Sequence, residues 1–357
     1  MYPMITLYKV STLFDLSEVL IELCSLPGPA GFEQIVAERV KTLIQPYVDD
    51  AWIDAIGNVI GVRRSGKEGA RKLLFDAHID EIGLIVTGAD EGFLRFAALG
   101  GEDERILPAS VMKVMTDPPR YGVIGVMPPH LLQKEDTDKT IKIEDMFLDA
   151  GLTREEALAA VPQGTPCVFG NLTRSFGENC LCGKALDNRA GFAAILRALE
   201  SLGGTRPDAD VYVMASVQEE VGVRGAAPGV FAIAPDQCVI VDVGYARTPD
   251  FKPHEPQEVI GGGVIISYGP NMSRGMTELA VKLARDNGIK HQVNVEPGDS
   301  GTNARAIQVS REGVTTALFS IPLKYMHGMH EVVSLEDIES TARLLCEMAK
   351  PAAGGEL

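Results

Sequence analysis

Four apolar runs in this chain have the length of a buried strand, and each is closed by, or soon followed by, a histidine or a carboxylate. Lys72-Leu-Leu-Phe-Asp-Ala77 leads into His78-Ile-Asp80, and Val211-Tyr-Val-Met-Ala-Ser-Val217 into Gln218-Glu219-Glu220. Cys238-Val-Ile-Val241 is followed by Asp242, and Thr316-Ala-Leu-Phe-Ser-Ile321 by Tyr325-Met-His327. Helical patterns over Arg189 to Leu202, Gly275 to Asn287, Ala304 to Glu312 and Leu335 to Met348 alternate with such runs. Alternation of this kind predicts an α/β fold with a mostly parallel central sheet and flanking helices, whose ligands collect at the carboxyl ends of the strands.

The rest of the chain divides by texture. Helical periodicity over Asp15 to Leu26 and Phe32 to Ile44 brackets the Pro27-Gly-Pro-Ala-Gly31 turn, and Val59–Val62 and Leu73–Phe75 read as strands around the polar loop Arg63 to Gly69. Between residues 82 and 177, short strand-like runs (Leu84–Thr87, Ser110–Val114, Gly122–Val126) are punctuated by Gly and Pro, with one helical stretch from Arg154 to Val161. That predicts a small β-rich domain inserted at 82–177 into a main domain of residues 1–81 and 178–357. The insertion is too long for a loop, and Met112, Met115, Leu131 and Leu132 near its turns are expected to be covered by another surface.

Composition excludes several classes. The chain of 357 residues, 45% hydrophobic and 23% charged, can bury roughly three quarters of its unfolded surface. A formal charge of −16 without a Lys/Arg cluster argues against a nucleic-acid partner. No apolar run approaches the roughly 20 residues of a membrane span, and the N-terminus lacks a leader pattern, so no membrane partner and a cytoplasmic location are expected. Six cysteines (24, 167, 180, 182, 238, 346) form no framework; reduced thiols without a catalytic role are expected.

Glu219-Glu220 is the sharpest chemical signal. Adjacent carboxylates at the end of a buried strand repel each other and lose hydration, which a neighbouring cation relieves. Taken singly, the other candidates have plainer readings: Asp187 in Lys184-Ala-Leu-Asp-Asn-Arg189 as a helix cap, Asp242 as a strand end, His327 as a surface histidine. Jointly, five segments placing metal-type residues at sheet ends point to a two-metal hydrolase, with an Asp shared between the ions.

The ordered series Asp54-Ala-Ile-Gly-Asn58, Asp76-Ala-His-Ile-Asp-Glu-Ile-Gly83, Gly122-Val-Ile-Gly-Val-Met-Pro-Pro-His-Leu131, Lys184 to Arg189, Gln218-Glu-Glu-Val-Gly222, Val241-Asp-Val-Gly244 and Tyr325-Met-His327 resembles the M42 metallo-aminopeptidases, of the glutamyl and tetrahedral aminopeptidase types. The resemblance implies a di-zinc exopeptidase-like fold with an inserted dimerisation domain and two divalent ions per subunit. His78, Asp187 and Asp242 would hold one ion, and Asp187, Glu220 and His327 the other. Glu219 would be the general base for a hydroxide bridging the ions, and Asp80 would orient the His78 ring. His78 and Asp187 lie 109 positions apart, wider than in many related di-zinc deacylases, which leaves room for the insertion. Short peptides would be the substrates, zinc or cobalt the favoured metal with manganese as a third candidate, and a homo-oligomer, at least a dimer and preferably a dodecamer, the assembly.

Two departures from the family pattern, Gly301-Thr-Asn303 for Gly-Thr-Asp and Gly328-Met-His330 for Ser-Pro-Val, are expected near the substrate cleft. That cleft is expected to draw on the loops at Gly261–Val264, Asn271–Arg274 and Gly298–Thr302. Two alternatives share the metal site: a deacylase or dipeptidase acting on small amides, and an idle scaffold, against which the complete set of ligands and base argues. A glycosidase reading fails, because its two carboxylates must flank a sugar bond about 5 to 9.5 Å apart rather than adjoin in sequence.

Overall fold

The computed structural model describes residues 13–131, 139–255 and 257–350. Eight α-helices occur among them: α1 (Leu16–Ser25), α2 (Gln34–Ile44), α3 (Arg154–Ala160), α4 (Leu186–Ser201), α5 (Ala226–Ile233), α6 (Arg274–Asp286), α7 (Ala304–Ile307) and α8 (Leu335–Ala349). Local chemistry starts several of them. Asp15 caps α1 by accepting from the N–H groups of Ser17 and Glu18, and Thr153 with Glu156 forms a reciprocal capping box on α3. Burial follows the helical period: Leu16, Leu20, Leu23 and Cys24 in α1, and Val36, Ala37, Val40 and Ile44 in α2. Helix α4 is buried on all sides from Leu186 to Leu199, packed against the sheet, α1 and α8.

The large sheet has the order β1 (Asp50–Ile53), β2 (Val59–Arg63), β12 (Asp210–Ser216), β3 (Lys72–His78), β13 (Gln237–Tyr245), β16 (Thr315–Lys324), β17 (Glu331–Ser334), β11 (Cys180–Gly183) and β10 (Arg174–Phe176). Strands β14 (Val264–Tyr268) and β15 (His291–Val295) extend it from β16. Side chains alternate across it with period two. Leu73, Phe75, Val239, Val241, Ala317 and Phe319 face the core under α1, α2, α4, α6 and α8, whereas Leu74, Cys238, Ile240 and Leu318 face the one under α5 and α7.

Parallel pairing is confined to the centre, β12-β3-β13-β16, and to β14-β15; the remaining pairs are antiparallel. The sheet is therefore mixed rather than mostly parallel. Short connections explain the flanks: β1 to β2, β10 to β11 and β16 to β17 are joined by turns too brief for a parallel crossover. The parallel centre is what matters for the site, since it brings the ends of β3, β12 and β13 to one edge. His78 pairs across from Ser216, and Asp242 from Ser320.

The other six strands close a barrel in the order β4 (Gly83–Asp90), β5 (Phe93–Leu99), β8 (Phe147–Asp149), β7 (Arg120–Gly125), β6 (Val111–Val114) and β9 (Pro166–Phe169). Its own core contains Leu84, Phe96, Met112, Val114, Ile124, Leu148 and Phe169. Met112 needs no external cover, because the alternation of β6 turns it inward; Met115 is half-buried, Leu131 is exposed, and Leu132 lies outside the described residues. Helix α7 is shorter than its sequence pattern, stopping at Ile307 before a turn in which Arg311 and Gly313 take positive φ.

Candidate metal centre

The structure brings His78, Asp187, Glu220, Asp242 and His327 together as two overlapping triads, His78/Asp187/Asp242 and Asp187/Glu220/His327, with the ligand atoms of each within 4.8 Å of one another. In the first, His78 Nε2 lies 3.1 Å from Asp187 Oδ1 and 3.8 Å from Asp242 Oδ1. In the second, His327 Nε2 is 3.5 Å from both Asp187 Oδ2 and Glu220 Oε2. Asp187 thus turns one oxygen to each triad. It sits at the head of α4 with non-helical backbone, ahead of the regular turns.

Backbone bends against its ordinary preference aim these groups. Ala185, Gln218, Tyr325 and His327 all have φ near +60° (57°, 56°, 60° and 62°), a region costing an L-residue about 1–2 kcal/mol. Such strain gathers where surrounding contacts over-determine the chain. Here the contacts are buried carboxylates. Asp80, whose Oδ1 is 3.4 Å from His78 Nδ1, also accepts the N–H groups of Glu219 and Glu220, each at 3.1 Å, and so fixes the acidic dipeptide as well as facing the ring. Glu33 accepts from Gln218 N–H at 3.1 Å. Glu331 accepts from Asp187 N–H at 3.2 Å and His327 N–H at 3.1 Å, clamping one member of each triad.

Glu331 and Glu33 escaped the sequence reading. Neither follows an apolar run in the manner of the candidate ligands, and their partners are backbone groups. Glu81 was visible only as part of a motif. It is buried with Lys184 Nζ at 2.6 Å and Arg189 at 3.1 Å, which gives Lys184 and Arg189 a role on either side of Asp187: they tie α4 to the turn after His78.

Burial pushes the Glu220, Asp242 and Glu331 carboxyls well above the carboxylate range, and the charge of Asp187 adds to it. Burial likewise raises Glu219 to about 7, opposed by the nearby His78. For His78, burial disfavours the charged ring, but hydrogen bonding to Asp187 and Asp80 outweighs it and holds the imidazolium well above its ordinary range. So many acids crowded around one imidazole call for positive charge. A metal bound at about 2.1 Å separates tetrahedral ligands by about 3.4 Å, so the 3.1–3.8 Å spacings fit a cation in each triad.

Glu219 belongs to neither triad, yet it lines the same cleft, which has a volume of about 810 Å³. Among the described lining residues, the wall beyond the triads and Glu219 carries Glu255, Glu258, Glu296 and Asp299 against one guanidinium, Arg305. Gly298–Thr302 contributes as expected, but the loops at Gly261–Val264 and Asn271–Arg274 do not line it; instead Asp337 accepts from the N–H groups of Gly261 and Gly263, while Asn271 Oδ1 accepts from Ser300 N–H. Asn303 is buried and donates to Asp76 Oδ2 and Ser216 Oγ, each at 2.8 Å. Its amide suits a buried Asp76, raised to about 6 chiefly by burial, better than a second carboxylate would. His330 is exposed and belongs to neither triad. All six cysteines are free.

Histidine and carboxylate side chains gathered at strand ends over an open cleft are the donor set that a metal-dependent hydrolase of α/β architecture needs. The chain belongs to the M42 glutamyl aminopeptidase family, whose sequence profile matches residues 57–344, and is a peptide hydrolase. It is 35% identical over 349 residues to the lysyl aminopeptidase of Pyrococcus furiosus, covering 94% of this chain and 97% of that protein. Aminopeptidase APDkam598 from Desulfurococcus kamchatkensis superposes with a TM-score of 0.87 at 34% identity, covering 94% of each chain. The Pyrococcus horikoshii TET1 peptidase, which can assemble into a tetrahedron or a large octahedral shell, superposes with a TM-score of 0.82 at 32% identity, covering 94% of this chain and 99% of that one. Among the described residues no helix is long and apolar enough to cross a membrane.

Proposed function

We propose that this aminopeptidase uses two divalent ions to remove single residues from the N-termini of short peptides, with Glu219 moving the protons. The observation that carries the reading is the sharing of Asp187 between two triads that open on the cleft lined by Glu219. Two bound ions, zinc or cobalt for preference over manganese, would supply Lewis acidity toward the scissile carbonyl and lower the pKa of bound water. His78, Asp187 and Asp242 would hold one, and Asp187, Glu220 and His327 the other. Glu219 takes the proton from the attacking water and delivers it to the leaving amine, a role suited to a carboxyl raised toward neutrality. Asp80 orients the His78 ring and pins the backbone of Glu219. A free α-amine could serve as a ligand to a bound ion where an internal amide could not, which would restrict cleavage to N-termini.

Cleft charge supports a preference among those N-termini. Glu219, Asp187, Glu220 and Asp242 balance two divalent ions, which leaves four wall carboxylates facing one arginine. A cationic side chain suits that wall. The Pyrococcus furiosus relative is named for lysyl substrates, whereas the family carries the glutamyl name; the charge of this cleft favours the former. The 82–177 segment is read as a separate unit that mediates dimer contact, within an assembly of up to twelve subunits. A panel of aminoacyl-anilides, assayed with added zinc, cobalt or manganese beside N-acyl amino acids, tests the reading. Cleavage of lysyl and arginyl anilides at the highest kcat/KM is expected. Hydrolysis of N-acyl amino acids in place of anilides would overturn the aminopeptidase reading, and a best rate on glutamyl anilide would overturn the preference.

A further inference from the structure

The turn that carries His327 belongs in sequence to the large sheet, between β16 and β17, but it is seated on the barrel. His327 Nδ1 lies 3.0 Å from the carbonyl oxygen of Gly101, in the loop that leaves β5. Met329 packs against the barrel core, and its carbonyl accepts from Asn171 Nδ2 just beyond β9. A side chain at position 101 would collide with the ring: a Cβ built there lies 2.9 Å from Nδ1 and 3.1 Å from Cε1 of His327. The backbone of Gly101 does not itself require glycine, since its φ lies outside the left-handed region. Space for the imidazole is the remaining reason for glycine at this position.

We propose that Gly101 is a positioning residue for His327, and that the barrel through it sets the occupancy of the second triad. The inference rests on the reading of His327 as a metal ligand. A carbonyl accepts only from a protonated nitrogen, so the Gly101 carbonyl holds the proton on Nδ1 and leaves the lone pair on Nε2, the atom that faces Asp187 and Glu220. The first triad has no such dependence, because His78, Asp187 and Asp242 all come from the main sheet and α4. Occupancy of the two triads should therefore separate when the barrel contact is disturbed.

The test is zinc and cobalt titration of the full-length protein, comparing Gly101→Ala with the unaltered chain and with His327→Ala, together with the visible absorption of bound cobalt. Gly101→Ala is expected to keep one tightly held ion and to bind the second about 10- to 100-fold more weakly, with an altered cobalt spectrum. Unchanged affinity for both ions in Gly101→Ala, while His327→Ala loses one, would overturn the positioning role. Two ions retained in His327→Ala would instead overturn the ligand assignment on which it rests. Should Gly101→Ala fail to fold, Asn171→Ala releases the same turn from the barrel without crowding the ring. A weaker second ion in that variant supports the proposal, and native affinity for both ions refutes it.

Discussion

Two adjacent glutamates occupy chemically different positions: Glu220 faces His327 and Asp187, whereas Glu219 stands outside both triads at the cleft wall. Glu219→Gln keeps shape and removes basicity, so metal content should survive while kcat falls about 10²-fold or more. Glu220→Gln should weaken metal binding instead. Metal analysis beside steady-state kinetics checks the division, and equal behaviour of the two variants would show it to be wrong. Glu331 belongs at the same scale although nothing in the sequence announced it. Its carboxylate satisfies two N–H groups of the residues that carry the triads. Glu331→Ala leaves both donors unpaired and should lower the unfolding free energy by about 3 kcal/mol in urea denaturation, with loss of metal as well. A change below about 0.5 kcal/mol would contradict the clamp.

At the scale of elements, apolar runs located the strands because burial on both faces demands them, and the residues just past their ends located the triads. What the runs could not reveal was direction. The mixed order of the sheet is decided by turns as short as Asp54–Asn58, and pairing across a sheet is not written in the period of any one strand. Helix α5 carries Pro228-Gly229 in its first turn, where proline is tolerated, so this helix has little of the continuous periodic pattern that marks the others. The left-handed residues Ala185, Gln218, Tyr325 and His327 leave no composition signal, being neither glycine nor asparagine. The strand ends also make a prediction about pH. Asp242 and Glu220 have raised pKa values in the folded, metal-free chain, so their contribution to stability is present when they are protonated and is lost as pH rises through those raised values. Bound metal favours the ionised forms. The difference in Tm between metal-loaded and chelator-treated protein should therefore grow from about pH 5 to about pH 8, as calorimetry would detect; a difference that shrinks over this range would reverse the assigned sign.

The whole molecule, formally −16, pairs a large mixed sheet with a barrel that exposes apolar side chains. Val111 and Val123 stand opposite each other on β6 and β7, 45% and 46% exposed, and Tyr121 beside them is 59% exposed. Met127 and Leu131 continue the apolar exposure past β7. Inward partners on the same strands, Met112, Val114 and Ile124, already fill the barrel, so this outer row gains nothing from the barrel's own folding. Contiguous apolar surface on a highly charged chain marks a contact between molecules. A second copy is the occupant expected under the proposed function, in which the 82–177 segment mediates dimer contact; the Pyrococcus horikoshii TET1 peptidase can assemble into a tetrahedron or a large octahedral shell. Light scattering at micromolar concentration should find at least a dimer, with a dodecamer as the expected end state. Val123→Glu places a charge in the middle of the row and should shift the population toward smaller species while leaving the metal content of each chain unchanged. A monomer in the unaltered, metal-loaded protein would refute the dimer. Unchanged mass for Val123→Glu would move the contact to another face of the barrel. Because a closed shell admits only what can enter it, rapid trimming of a folded protein's N-terminus would count against the enclosed form while leaving the dimer intact.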